Sequence, residues 1–359
     1  MTRQLFASGA GRRPRDRPLG RDLLVALLVS SLAACTSTPE PSIGLGRTPS
    51  APTTPSPSSP PSQSVAPAPR EITLAFAGDV HFARRTLTLL EQPATAFGPV
   101  AQLLRAADVA MVNLETAVTE RGTPEPKRYH FRAPESAYAA VRAAGIDVVS
   151  LANNHALDYG RVGLADTLDS AAAHGVPVVG AGRNVAGAYA PWVTTVDGVT
   201  IAFLGLSQIA ELSWNWSATA QRSGIAYAFD LARATEAVRV AKRAADVVVV
   251  YLHWGQEYHQ CPTTQMRRLA ANLAEAGADL LVGTHAHVLV GDGWLGDTFV
   301  SYGLSNFVWW FNDAGSNDTG VLRVTLRGAR IVRTEFVPAY IDRVTGQPIP
   351  STGQQKDRI

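Results

Sequence analysis

The chain has 359 residues, 46% hydrophobic and 17% charged, which is enough for one large domain or two small ones. Its formal net charge is +2. Residues 1–35 hold six arginines against Asp16 and Asp22, a balance of +4 that leaves −2 for the rest. Nothing in that remainder supplies the basic face that nucleic-acid binding needs, so that class is set aside.

The N-terminus has the three parts of an export signal: a basic stretch ending at Arg21, an apolar run from Leu23 to Ala34, and the small-residue boundary Leu32-Ala33-Ala34-Cys35. The apolar run is too short to span a bilayer as a helix, which takes about 20 residues. L-A-A-C resembles the bacterial lipobox, in which cleavage precedes the cysteine and the thiol is acylated. Residues 1–35 are therefore expected to be a lipoprotein signal, with Cys35 anchoring the chain to the extracytoplasmic face of the membrane. The other cysteine, Cys261, then has no partner, and the fold is expected to need no internal disulfide.

Residues 36–70 follow as a tether rich in Pro, Ser and Thr. Residues 36–69 hold ten of the 23 prolines and too little apolar surface to fold. From Glu71 strands and helices alternate. Ile72–Ala77 reads as a buried strand, Val100–Ala106 as a helix and Val109–Val112 as the next strand. Helices around Pro134–Ala144 and Gly163–His174 precede short strands at Val148–Leu151 and Val178–Val179. Ala190–Val196 and Val199–Leu206 flank Asp197-Gly198, a dipeptide favoured in two-residue hairpin turns. Leu231–Arg243 is an Ala-rich helix before the strand Val247–Leu252, and Thr264–Ala276 is a helix before Leu280–Gly283. Thr298–Tyr302, Val321–Leu326 and Ile331–Val337 close the pattern. This is an α/β domain with antiparallel additions, expected over 71–345, with a flexible tail at 346–359.

Polar clusters recur just after the strands. Asp79 and His81 follow the first, in A-G-D-V-H-F; Asn113 and Glu115 follow the second, in N-L-E-T. Asn153, Asn154, His155 and Asp158 follow the third, His253 ends the Val247–Leu252 run, and His285 and His287 follow Leu280–Gly283. Any one of these blocks also reads as turn chemistry. Their shared place matters more, because ligands of open α/β sheets bind beyond the carboxyl ends of the strands. Five of the eight histidines fall in these blocks. Imidazole with carboxylate and carboxamide oxygen, and no thiolate, suits Mn, Fe or Zn. The number of ligands exceeds what one ion needs, so two divalent metal ions with a shared carboxylate are expected.

The blocks resemble the CapA family, the poly-γ-glutamate synthesis (PGA_cap) proteins of the calcineurin-like metallophosphoesterase superfamily. The resemblance runs from Ile72 to Val308. It is carried by G-D-V at Gly78–Val80, N-L-E at Asn113–Glu115, R-Y-H-F-R-A-P at Arg128–Pro134, N-N-H-x-x-D at Asn153–Asp158, H-W-G-x-E-Y at His253–Tyr258, T-H-x-H at Thr284–His287 and Y-G-L-S-N-F at Tyr302–Phe307. It implies a four-layer α/β/β/α sandwich. It also implies Asp79, His81 and His287 on one metal and Asn154, His253 and His285 on the other. Glu115 stands where the superfamily usually has a bridging Asp, and His155, paired with Asp158, falls where a leaving oxygen is protonated. Asn113, Arg128 and Asn306 are weaker candidates for substrate contacts.

The family implies an extracytoplasmic accessory role in making, exporting or anchoring poly-γ-glutamate or a related envelope polymer, beside a membrane polymer-synthase complex. No G-x-x-x-x-G-K-[ST] loop occurs, so the chain is not the ATP-driven ligase. Two expectations stand side by side. One is a metal-dependent hydrolase or transferase acting on a phosphoester or on the anionic polymer's amide. The other is a non-catalytic polymer-binding or assembly subunit.

Overall fold

A computed structural model of the chain describes residues 70–313 and 315–359. Cys35, the expected export signal at 1–35 and residues 36–69 of the expected tether lie outside the described residues. The first half of the domain alternates β1 (Glu71–Val80), α1 (Ala101–Arg105), β2 (Val109–Leu114), α2 (Ser136–Ala143), β3 (Val148–Ser150), α3 (Gly160–Ala173) and β4 (Val178–Val179). Each strand is joined to the next through a helix, and such a crossover brings the chain back parallel to itself. β1, β2, β3 and β4 are accordingly parallel neighbours.

The hairpin expected around Asp197-Gly198 is present, between β5 (Trp192–Val196) and β6 (Val199–Ser207). Asp197 has φ 46° and Gly198 φ 79°, the two positive angles of a type I′ turn. Next come α4 (Leu231–Ala244), β7 (Val247–His253), α5 (Thr264–Glu275) and β8 (Leu280–Thr284), with β6, β7 and β8 parallel. The side chains of Asp230 and Thr263 cap α4 and α5 by accepting from Arg233 N and Met266 N. The chain ends in β9 (Leu289–Leu295), β10 (Thr298–Leu304), β11 (Asn306–Val308), β12 (Asp318–Arg327), β13 (Arg330–Ile341) and β14 (Pro348–Pro350).

Two large sheets result. One has the order β14-β13-β12-β1-β2-β3-β4, with β11 also paired to β1; the other has the order β9-β10-β8-β7-β6-β5. The alternation of side chains along a strand decides what lies between them. Leu74 and Phe76 of β1 and Met111 of β2 pack with Phe203, Val249 and Val282 of the other sheet. Ala75 and Ala77 face the opposite way, with Val112, and meet Leu104, Val141 and Leu164 of α1, α2 and α3. On the second sheet Leu204, Val250 and Leu252 meet Val238 of α4 and Leu269 and Leu273 of α5. Apolar side chains of the two sheets thus meet one another, and the opposite faces of the same strands meet helices, in a mixed α/β fold.

The tail expected at 346–359 is a correction. β14 pairs antiparallel with β13, Ala339 opposite Pro350, and Arg358 of the short helix Gly353–Arg358 forms an ion pair with Asp318. The prolines of Pro348-Ile349-Pro350 read as breakers. At a sheet edge, however, a residue that donates no hydrogen bond is tolerated.

Candidate metal centre

Strand register brings the polar blocks together. Asp79 on β1 lies opposite Asn113 on β2 and Asn306 on β11, and Asn113 lies opposite Ser150 at the end of β3. On the second sheet His253 lies opposite Thr284 at the end of β8. β11 reaches β1 only because residue 78 is glycine: a Cβ there would stand 1.9 Å from Ser305 O. His285 and His287 hold φ of 86° and 56°, left-handed values that are strained for any residue but glycine and concentrate at functional sites. Tyr258 N donates to Ala286 O at 2.7 Å and ties the loop after β7 to this turn.

Asp79, fully buried, accepts from Asn113 Nδ2 at 2.7 Å and from His285 N at 3.1 Å, and lies 3.5 Å from His287 Nδ1. His253 places Nε2 2.8 Å from Asn154 Oδ1, 3.1 Å from His285 Nδ1 and 3.3 Å from Glu115 Oε1. His155 places Nδ1 2.6 Å from Asp158 Oδ2 and Nε2 3.9 Å from Glu115 Oε1. Asp158 also accepts from Phe131 N at 2.6 Å. His81 stacks on Phe131 at 4.3 Å and meets the edge of Trp309 at 4.2 Å.

Burial dominates the electrostatics. Desolvation lowers His253 to about 4 and carries His81, His155 and His285 well below the ordinary imidazole value. Burial pushes Glu115 well above the usual carboxylate range, with the charge of Asp79 adding to it. It also lifts Asp158 to about 6, against the opposing pull of Lys127. At His287 burial acts downward, yet the Asp79 carboxylate and the charge of Glu115 prevail and hold it at about 9.

The centre fits divalent cations on a direct observation. Both ring nitrogens of His81 and both carboxylate oxygens of Glu115 are buried without a hydrogen-bond partner. The 3.3 Å approach of His253 to Glu115 lacks the alignment of a hydrogen bond. Orphaned buried groups of this kind are costly, and a cation is the partner that suits lone pairs on nitrogen and on carboxylate oxygen alike. Glu115 with His253 and His285, and Asp79 with Glu115 and His287, form two buried groups whose donor atoms all approach within 4.8 Å of one another. Glu115 belongs to both, which suits a shared carboxylate. His81 falls in neither group, although its free nitrogens lie in the same buried region. Asn154, His155, His285 and His287 retain 6–7% exposure whereas Asp79, His81 and Glu115 have none, so solvent reaches the centre from the side of the first four.

Three weaker candidates for substrate contact are placed differently. The Asn113 amide is occupied by Asp79, by an approach of 3.2 Å to His253 Nδ1, and by Asn153 Nδ2, which donates to its oxygen at 3.0 Å. Asn306 holds His287 Nδ1 at 2.8 Å and donates to Ser316 O. Both therefore orient other side chains of the buried cluster. Arg128 is exposed and lies 5.0 Å over the Tyr129 ring. Of the two tryptophans in S-W-N-W-S, Trp216 is buried and Trp214 is 91% exposed.

Sequence reasoning did not assign Glu257, which forms a third donor group with His285 and His287. It stands in the H-W-G-x-E-Y block two positions past a left-handed Gly255 (φ 93°), and that block was its only signal. Also unassigned were Thr284, 3.1 Å from His253 Nδ1, and Glu211, 57 residues from the Asn154 side chain it meets.

A family profile described as "Bacterial capsule synthesis protein PGA_cap" matches residues 73–309. The chain belongs to this family. It is 31% identical to the "PGA biosynthesis protein CapA" of Bacillus subtilis over 80% of this chain and 76% of that one. It is 29% identical to the "Capsule biosynthesis protein CapA" of Bacillus anthracis over 80% and 72%. Among solved structures, the NAD nucleotidase of Haemophilus influenzae is similar at a TM-score of 0.47 and 15% identity, over 80% of this chain and 61% of that one. The profile match contains every residue of the centre from Asp79 to Asn306, so family membership and the buried cluster describe the same part of the chain.

Proposed function

We propose that this protein is a metal-dependent hydrolase or transferase acting on a phosphoester or amide of an anionic envelope polymer, poly-γ-glutamate or a relative. The similarity to the two CapA proteins supports the polymer. The observation that carries the chemistry is His155, whose Nδ1 is held by Asp158 while Nε2 turns toward Glu115, the carboxylate shared by both donor groups. On this reading Asp79, His81 and His287 hold one divalent ion and Asn154, His253 and His285 the other, with Glu115 between them. Bound there, Mn, Fe or Zn would supply Lewis acidity toward a phosphoryl or carbonyl oxygen.

The protein's own groups do the rest. Burial keeps the His155 ring neutral, with its proton on Nδ1 toward Asp158 and a lone pair on Nε2 facing the centre. Nε2 takes the proton of the attacking nucleophile and returns it to the leaving oxygen or nitrogen, while Asp158 stabilises the transient imidazolium. The Asp79, Asn113 and Asn306 contacts hold the histidines in place throughout. The lipobox at Cys35 supports a lipid anchor at the extracytoplasmic face, where an envelope polymer and its synthase complex would be met. Mutation decides the reading: His155→Ala in the full chain should keep its divalent metal and lose hydrolysis of an aryl phosphate or a γ-glutamyl amide. If His155→Ala supports polymer production in cells as wild type does, the protein is a non-catalytic assembly subunit instead.

A further inference from the structure

We infer that the Lys127–Glu211 ion pair is a positioning device: it turns the Asn154 carboxamide oxygen toward His253 and thereby sets the affinity of this half of the centre for its divalent ion. The inference rests on the metal reading above and adds to it two residues that contribute no donor atom to either buried group.

Lys127 lies between β2 and α2, and only 2% of its side chain is exposed, which is rare for a lysine unless it is paired. Its Nζ stands 3.0 Å from Asp158 Oδ1 and 3.1 Å from Glu211 Oε2, donates to Asn154 O, and lies 5.1 Å from the Trp216 ring centre. Glu211 arrives from the other sheet, on the segment that follows β6, next to Leu212 with its left-handed φ of 52°. Its Oε2 lies 3.3 Å from Asn154 Nδ2.

The asparagine side chain has two chemically opposite ends, an accepting oxygen and a donating nitrogen. A carboxylate only accepts hydrogen bonds, so Glu211 selects the amide nitrogen. The oxygen is left facing His253 Nε2 at 2.8 Å. Reversed, the amide would present two N–H donors to a cation. Lys127 keeps Glu211 beside Asn154 by balancing its charge, and the same ammonium holds Asp158 behind His155. One buried cation thus ties a ligand residue and the proton-carrying pair into one rigid unit. Partners behind a ligand commonly change metal affinity by 10–100-fold.

The test is Mn²⁺ titration of the chelator-stripped full chain in detergent, with free Mn²⁺ read by electron paramagnetic resonance. Glu211→Ala should weaken one class of site by about 10–100-fold and leave the other unchanged. Glu211→Gln, whose amide oxygen still accepts from Asn154, should recover most of that loss, and Lys127→Met should weaken the same class of site. In an Asn154→Asp background both ligand oxygens are equivalent, so adding Glu211→Ala should have little further effect. A Glu211→Ala protein that binds Mn²⁺ as wild type does, or a loss that Gln fails to relieve, overturns the inference and leaves the metal reading intact. Wild type that takes up no Mn²⁺ overturns the metal reading, and the inference falls with it.

Discussion

Two neighbouring regions of the centre differ in how their polar atoms are satisfied. Around His81 and Glu115 four buried donor or acceptor atoms have no partner, although both residues are fully buried. Around His155 and Asp158 the imidazole has a close partner: Asp158 Oδ2 accepts from the ring and from Phe131 N, while Oδ1, which has no hydrogen bond, lies 3.0 Å from the Lys127 ammonium. The first arrangement leaves free lone pairs around a small volume, as a cation requires. The second holds an imidazole in one tautomer, as proton transfer requires. Burial is common to both, so the two regions differ in which partners the protein itself supplies.

That contrast can be broken most sharply at the ligands. Replacing Asp79, His253 and His285 together by Ala should abolish divalent metal uptake, measured by elemental analysis after dialysis. Unchanged metal content would move the centre elsewhere. Replacing His155 alone should leave metal content intact and lower turnover by about 10²–10⁴-fold, the usual contribution of general acid–base catalysis. If metal and turnover disappear together in His155→Ala, the two regions are not separable.

The pH dependence of the metal-free protein gives a smaller effect. His253 is held near 4 in the fold against about 6.5 unfolded, so its contribution is fully present above 6.5 and is lost as pH falls toward 4. Complete loss amounts to roughly 3 kcal/mol, at about 1.4 kcal/mol per pKa unit. Asp158 acts with the opposite sign: its carboxyl is raised to about 6, so its contribution is present below about 3.8 and is lost as pH rises through 6. Because the two oppose one another, the test is the difference between proteins: in urea unfolding with chelator present, stability lost between pH 7 and pH 5 should be smaller in His253→Ala than in wild type. The smallest effect is expected at Arg128→Ala, which should change metal affinity and turnover by less than about twofold, because the side chain lies in solvent over Tyr129. A tenfold loss of substrate affinity in that variant would restore Arg128 to the site.

The strands and helices that build the sheets were legible because their signal is local. Val247–Leu252 and Leu280–Gly283 are short apolar runs, and Asp197-Gly198 carries the turn that its two positive φ angles require. Elements whose apolar residues are interrupted by glycine, proline or polar residues were not legible, among them the 3₁₀ helix Arg84–Glu91, the half-exposed edge strand β9, and β14 with its two prolines. The position of the centre was legible too, since polar residues that follow parallel strands must meet at one sheet edge.

What the sequence alone determined is therefore the set of residues that could reach that edge: Asp79, His81, Glu115, Asn154, His155, His253, His285 and His287. The roles of Asn113 and Asn306 depended on which groups lie across a strand pair. Glu257 depended on a loop turned back over the His285–His287 bend, and Lys127 and Glu211 on contacts made between the two sheets. Spacing along the chain specifies which side chains share an edge. Only the packed structure fixes which way an amide faces, which buried atoms find a partner and which are left for a ligand, because those outcomes depend on neighbours far apart in sequence.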